Sequence, residues 1–312
     1  MEKTNAEKKF SFGEIWKRMW KCRDLYLFLF PALVLLILFT YCPMYGVQIA
    51  FRDFVAEKGI WGSEWVGLKY FKQFINSYQF GNTLKNTLVL SVYCLLVTFP
   101  LPIMLALLCN QMRNGKFKKV FQVVTYLPHF ISTVVVCGMI LMFLSPSSGI
   151  IAQFLSLAEI KMPNIMSKPG AFPSIYVWTE AWQHIGFDSI VHIAALSAID
   201  PSLYEAATMD GASKWQKMTR IDFPLLLPTV TIMFILRMGS LVSIGFEKVY
   251  LLQNSLNIST SEILSTYVYK MGLIGGQYSL SAAINMFNSI INLILLLTVN
   301  YISAKLSDTS LI

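Results

Sequence analysis

Six long apolar stretches separated by polar segments set the plan of this chain. The first runs without a charge from Leu25 to Phe51. That exceeds the roughly 20 residues a helix needs to cross a bilayer. The pattern places a helix at Tyr26–Val47, with Pro43 and Gly46 at its outer end. Asn86–Met112 is also uncharged and predicts a helix at Thr87–Cys109. Pro100 and Pro102 should kink it, which neighbouring helices accommodate by satisfying the freed carbonyls. Further helices are expected at Val120–Leu144 (with Pro128-His129 early in it), Ser174–Ile199, Leu225–Phe246 and Ser279–Ala304. The span Ser174–Ile199 is the least apolar, and Leu225–Phe246 contains Arg237. The result is an all-α integral membrane protein with six transmembrane helices and both termini on one side.

The polar segments give the orientation. Residues 1–24 hold seven Lys or Arg against four acids, which places this end in the cytoplasm. Arg113, Lys116, Lys118 and Lys119 form a basic cytoplasmic loop, and residues 305–312 a short cytoplasmic tail. The external segments are 48–83, 145–173 and 247–276. In the first, Trp61 and Trp65 suit a membrane interface. Tyr70, Phe71, Phe74, Ile75 and Tyr78 recur at helical spacing, as in an amphipathic helix lying on the surface.

Composition agrees. Of 312 residues, 55 % are hydrophobic and 13 % charged, where a soluble domain carries about a quarter charged. The net charge of +8 sits mostly at membrane-flanking positions and does not call for nucleic acid. Five cysteines without paired spacing suggest neither disulfides nor a zinc site. No small-residue cleavage site follows the first apolar stretch, so it should remain as an anchor.

Ionisable residues inside a bilayer are expensive and normally face protein or water. Glu180, His184, Asp188 and His192 recur at four-residue spacing in the fourth span. Three readings stay open. His184, Asp188 and His192 have spacing that could ligate a metal. The stripe could instead hydrogen-bond between helices, with Arg237 pairing to Glu180 or Asp188. Or some of its members line a translocation path. Trp178, Trp182, Tyr176 and Phe172 surround the outer end of that helix, where aromatic rings serve either sugar stacking or an interface belt. No GxxxxGK[ST] occurs, so the chain has no phosphate cradle of its own and reads as a non-enzyme.

The polar stretch Asp200–Pro228 has the grammar of two short helices and a turn. Asp200 is a good N-cap with Pro201 in the first helical position. Gly211 can take the left-handed conformation that ends a helix. Ser213 and Gln216 form a capping box for a second helix, which should stop by Asp222–Phe223 because Phe223 precedes a proline. Glu205-Ala206-Ala207, three residues, Gly211, nine residues, Ile221, one residue, then Phe223-Pro224 resembles the EAA loop of binding-protein-dependent ABC importer permeases. Only Phe223, where Leu is usual, departs from the pattern. The resemblance implies a type I ABC importer transmembrane domain with a cytoplasmic coupling helix. Glu205, Ala206, Ala207, Asp210 and Gly211 would be the ATPase-coupling residues.

Other phrases extend the likeness. Phe246-Glu247-Lys248-Val249-Tyr250-Leu251-Leu252 and Thr266-Tyr267-Val268-Tyr269 resemble segments of carbohydrate-type permeases. Tyr126–Ser132, Ala194–Pro201 and Ile235–Ser240 resemble the LplB-type subgroup, associated with large oligosaccharides. The implied organisation is a cytoplasmic segment 1–24, a first helix with an external amphipathic segment over 25–81, a type-1 transmembrane domain over 82–304 with the coupling loop at 200–224, and the tail 305–312. The implied partners are a second homologous permease, two ABC ATPase subunits that hydrolyse ATP-Mg, and an extracellular solute-binding lipoprotein. The chain itself would bind no cofactor, and it would sit in the bacterial cytoplasmic membrane. Trp178, Trp182, Glu180, Asp188, Arg237 and Tyr250 are the candidates for the cargo path. Two rival readings are an ion-coupled secondary transporter using Glu180, Asp188 and Arg237, and an ABC importer permease for a non-sugar solute.

Overall fold

The computed structural model describes residues 20–113 and 115–306. Most of the expected cytoplasmic segment 1–24, and the tail beyond residue 306, lie outside them. The chain divides into two compact units, Met1–Gly67 and Leu68–Ile312.

In the first unit, helix α1 runs over Arg23–Phe51. Its turn widens to a π-helix at Ile37–Tyr41, ahead of Pro43. A proline removes one backbone donor and crowds the carbonyl four residues back, and a wide turn relieves both. Phe28 and Phe39 are among its large exposed side chains, as suits a helix facing lipid. A two-stranded ribbon follows, β1 (Arg52–Asp53) against β2 (Glu64–Trp65). The Arg52 guanidinium donates to the Ser63 carbonyl at 2.9 Å and lies over the rings of Trp61 and Trp65 at 5.8 and 5.4 Å. The two tryptophans thus hold the ribbon as well as presenting exposed rings.

The second unit begins with α2 (Lys69–Ile75), the expected amphipathic helix. It does not lie free on a surface. Phe74 is buried against Leu264, Tyr267, Leu280 and Ile284, so the helix belongs to the bundle core. Helices α3 (Tyr78–Thr98) and α4 (Pro100–Gln111) form one 34-residue span that starts well before Thr87. The third expected span is not one straight helix. Helix α5 (Lys116–Tyr126) closes in a 3₁₀ turn through Pro128. Ile131 is extended, and α6 (Thr133–Phe143) restarts with Ser132 Oγ accepting the Val135 N–H. The two arms meet at 96°, because a proline turn followed by a fresh N-cap resets the chain direction.

Helix α7 (Ile150–Ser156) leads towards α8 (Phe172–Ser197). At 26 residues α8 is about 39 Å long. It passes so close to α5 that a Cβ on Gly186 would meet the Thr125 carbonyl oxygen at 2.0 Å. Phe172 and Tyr176 on α8 are core residues rather than an interface belt. Helix α9 (Pro201–Met209) and the short α10 (Lys214–Lys217) follow. Contrary to expectation, the chain does not leave helical geometry at Phe223. A π turn at Met218–Asp222 carries it straight into α11 (Phe223–Met238), with the Phe223 N–H bonded to the Met218 carbonyl. The widened turn makes room for the Pro224 ring.

Residues 247–276, expected as an external loop, hold α12 (Phe246–Leu252) and α13 (Leu264–Tyr269). Val249, Leu252, Ile263 and Leu264 are fully buried here, so this segment is part of the packed interior. Helix α14 (Tyr278–Leu306) completes the unit. Among the described residues four helices can cross a membrane by length and composition, or five if the bent α5–α6 pair is one span. Among the described residues three apolar clusters hold the bundle, and α8 contributes to two of them, through Tyr176 and Val177 in one and Leu196 in another.

Candidate functional site

Two sites stand out. The first is the foot Asp200–Asp222, built from short-range bonds. Asp200 Oδ1 accepts the Ser202 N–H at 2.9 Å. This bond holds the exposed carboxyl below the usual carboxylate range. Gly211 takes φ +74°. Its N–H bonds the Thr208 carbonyl at 3.0 Å, and the Ala212 N–H bonds the Ala207 carbonyl at 2.9 Å. Together these close a Schellman motif. The capping box is present, with Ser213 N–H to Gln216 Oε1 at 2.7 Å and Gln216 N–H to Ser213 Oγ at 3.3 Å. Lys217 Nζ reaches back to Thr208 Oγ1 at 2.7 Å and ties the second helix to the first.

A buried acid fastens the foot to the bundle. Asp222 is fully buried and accepts from the Tyr204 hydroxyl and from Gln111 Nε2 at 2.6 Å. Asn110 Nδ2 donates to the Tyr204 oxygen at 3.2 Å. Burial, then the bond to Asp222, pushes the Tyr204 hydroxyl up to about 12. Sequence reasoning missed this clamp. Asp222 occupies the variable position between Ile221 and Phe223, and its only signal was an acid at the mouth of an apolar run.

Of the five expected coupling residues, Glu205, Ala206, Asp210 and Gly211 are exposed and Ala207 is half-buried. Ala207, Asp210 and Gly211 line a cavity of about 300 Å³ with Gln216, Lys217 and Arg220. Met209 is 89 % and Trp215 69 % exposed, so the foot presents apolar side chains on a polar frame.

The second site lies inside the bundle. Lys248 Nζ, on α12, bonds Glu180 Oε2 at 2.9 Å and Gln183 Oε1 at 3.4 Å. Lys248 is 3 % exposed. Glu180 Oε1 lies 3.4 Å from His184 Nε2, and His184 Nδ1 lies 2.9 Å from His129 Nδ1. Gln183 Nε2 donates to the Ile131 carbonyl at 3.1 Å, at the elbow between α5 and α6. Glu180 therefore pairs with a lysine that sequence reasoning put in an external loop. Arg237 pairs with neither Glu180 nor Asp188 among the described residues. Its Nη2 donates to Thr98 Oγ1 at 3.3 Å.

Two cavities flank Arg237. The larger, about 340 Å³, is lined by Thr98, Phe99, Phe187, Asp188, His192 and Arg237, among others. The smaller, about 120 Å³, includes Ser91, Tyr176 and Glu180, and shares Arg237 and Ser240 with the first. Trp178, Trp182 and Tyr250 line neither. Trp178 Nε1 donates to the Tyr93 hydroxyl at 3.1 Å. Tyr250 packs with Phe246 and Tyr269 at ring distances of 5.4 and 5.0 Å. His184, Asp188 and His192 do not converge as ligands, and no group of three or more His, Cys, Asp or Glu among the described residues is placed to hold a metal.

The chain is similar to known proteins along most of its length. The family model described as "binding-protein-dependent transport system inner membrane component" matches residues 99–308. The chain is 40 % identical over 287 residues to Protein LplB of Bacillus subtilis (strain 168), covering 92 % of this chain and 90 % of that one. It is 39 % identical over 284 residues to the polygalacturonan/rhamnogalacturonan transport system permease protein YteP of the same bacterium, covering 91 % and 88 %. Among solved structures it resembles a chain of a bacterial ABC transporter involved in the import of the acidic polysaccharide alginate. That match has TM-score 0.85 and 37 % identity over 94 % of this chain and 99 % of the other. It also resembles a chain of a bacterial alginate ABC transporter in complex with an alginate pentasaccharide-bound periplasmic protein, with TM-score 0.86 and 37 % identity over 95 % and 99 %.

Proposed function

We propose, from the premise that this chain belongs to the family of binding-protein-dependent transport system inner membrane components, that it is a permease subunit of an ATP-driven importer of oligosaccharides or polysaccharide fragments. The observation that carries the reading is the likeness along nearly the whole chain to a polygalacturonan/rhamnogalacturonan permease and to an alginate importer chain. In this reading α1, the α3–α4 span, the bent α5–α6 pair, α8, α11 and α14 are the six crossings. Both termini and the foot then lie in the cytoplasm, and residues 82–304 form the transmembrane domain proper.

A second permease completes the pathway, two ATPase subunits that hydrolyse ATP-Mg dock below, and a solute-binding lipoprotein delivers cargo from outside. Glu205, Ala206, Ala207, Asp210 and Gly211 meet the ATPase. The small side chains allow close approach, and exposed Met209 and Trp215 offer apolar area to a protein partner. The Schellman turn, the capping box and the Asp222 clamp make the foot one rigid piece. Closure of the ATPase dimer then tilts α8 and α11, the two helices that flank the foot, and changes access to the cavities beside Asp188, Glu180 and Arg237.

The test is uptake of a labelled oligogalacturonate in cells. It should survive collapse of the proton gradient and cease on ATP depletion. The reverse pattern favours the ion-coupled transporter, and ATP-driven uptake of an amino acid or phosphate with no sugar uptake favours a different cargo.

A further inference from the structure

Helix α5 turns its apolar side outwards. Its Thr125 backs onto Gly186 of α8, and Lys118, Phe121, Gln122 and Tyr126 are half-buried. The other face carries Phe117 at 74 % exposure and Val120, Val123, Val124 and Leu127 at 60 to 62 %. At 100° per residue these five share one side of the helix. From Phe117 to Leu127 the stripe is about 15 Å long. That is comparable to the hydrocarbon depth of one leaflet, about half of a 30 Å core.

Three exposed cations stand where the stripe begins. Lys116 lies one turn before Val120, Lys119 lies one turn before Val123, and Arg113 precedes both in the loop. None of the three has a carboxylate within 4 Å among the described residues. The flanking sequence supplies none, since no Asp or Glu occurs between Glu64 and Glu159. Asp222, which Gln111 brings to this end of α4, is fully buried and accepts from Gln111 and Tyr204. The surface thus asks for an anion at one end and an apolar cover along the rest.

We propose that Arg113, Lys116 and Lys119 hold the phosphate of an anionic phospholipid whose acyl chain lies along the α5 stripe. Basic side chains beside an apolar helix face recognise anionic lipid through charge and buried area together. A zwitterionic lipid covers the stripe but brings its own ammonium to the lysines. Free phosphate answers the cations and leaves the stripe bare. A protein would have to present acids and apolar groups at this one spacing, whereas an anionic phospholipid has both in one molecule. The proposal rests on the importer reading for the side of the membrane and for the partner subunits, and not for the cargo.

The experiment places the importer, with its partner permease and ATPases, in nanodiscs of equal parts phosphatidylglycerol and phosphatidylcholine. One lipid or the other carries a photoreactive diazirine in its acyl chain, and peptide mapping reads the label on residues 117–127. Phosphatidylglycerol should label this stretch roughly fivefold or more over phosphatidylcholine, the preference that one lysine at an anionic surface supplies. Combining Arg113→Gln, Lys116→Gln and Lys119→Gln should bring the ratio to about one on α5 and leave the ratio on α14 unchanged. Lys116→Arg with Lys119→Arg keeps the charge and should keep the preference. Equal labelling by the two lipids in the wild type overturns the proposal, and so does a preference that survives the triple glutamine variant. Label on α14 with none from either lipid on 117–127 also overturns it, because protein then covers the stripe. Sugar uptake enters none of these outcomes, so a wrong cargo leaves them standing, and a missing lipid preference leaves the importer reading standing.

Discussion

The foot and the polar interior are both made of charged and hydrogen-bonding groups, and they are held in opposite ways. In the foot most bonds close over two to nine residues: Asp200 with Ser202, Ser213 with Gln216, Thr208 with Lys217. Long ties from Gln111 to Asp222 and from Asn110 to Tyr204 anchor it. In the interior, apart from the Glu180–His184 contact along one helix, these partners are 52 to 139 residues apart: Gln183 with Ile131, His129 with His184, Glu180 with Lys248, Thr98 with Arg237. A locally closed element keeps its shape when its neighbours move, which suits a lever. Contacts between separate helices change whenever those helices shift, which suits a cavity that must open on alternate sides. The two regions meet in α8, which carries Glu180, Gln183 and Asp188 and ends three residues before the foot begins.

The largest expected effect is on the lever's seat. Gly211→Asp should abolish uptake while leaving membrane abundance, measured by immunoblot, unchanged. The left-handed conformation costs an L-residue only roughly 1–2 kcal/mol, and a Cβ there meets nothing of this chain within 4 Å. A complete loss therefore reports a blocked partner surface. Ala207→Trp should behave alike. Normal uptake by either variant would separate the foot from coupling altogether.

Next is the interior pair. Lys248→Met leaves Glu180 without its cation, and breaking a buried pair from one side costs about 3–5 kcal/mol. The Glu180 side chain is 22 % exposed, which places the loss at the lower end of that range. Thermal unfolding of the purified protein should show a clear drop in Tm. Lys248→Met combined with Glu180→Gln should recover much of it, and additive losses would mean the two are not coupled.

The Asp222 clamp should matter less. Asp222→Asn weakens the acceptor for Tyr204 and Gln111, at about 1–3 kcal/mol for a compromised buried bond to a charged group, with uptake reduced rather than lost. The folded Tyr204 hydroxyl, at about 12, titrates above its ordinary value of 10.0. Its contribution to stability is thus complete below about pH 10 and disappears as pH rises towards 12. The difference in tyrosinate absorbance between wild type and Tyr204→Phe checks this, and a transition near 10 would remove the clamp. Smallest is Ser213→Ala, which deletes one cap at about 1 kcal/mol and should lower uptake only slightly. A loss as large as that of Gly211→Asp would show that the second short helix, not the turn, bears the load.

How much was legible follows from these distances. The caps at Asp200 and Ser213, the turn at Gly211 and the apolar spans were readable because propensity and periodicity act within a few residues. Two local rules failed. The expected single helix Val120–Leu144 holds Pro128 early in its run, and the structure instead divides it into two arms at 96°. Pro224 predicts a stop at Phe223, and a π turn absorbs it instead. In each case the surrounding helices, which one segment of sequence does not contain, chose between a break and a bulge. The segment 247–276 looked like a loop because short helices with polar flanks carry weak periodicity, yet it packs against α3, α6, α8 and α14.

By itself, then, the sequence determined that the chain is a membrane bundle with a structured polar foot, because burial in lipid and helix capping leave marks at each position. The tertiary structure alone decided that Lys248 and not Arg237 pairs with Glu180, that Asp222 clamps the foot, and that Arg237 lines two cavities and bonds Thr98. Which charge meets which depends on how helices far apart in the chain cross, and electrostatic partners are chosen by distance in space.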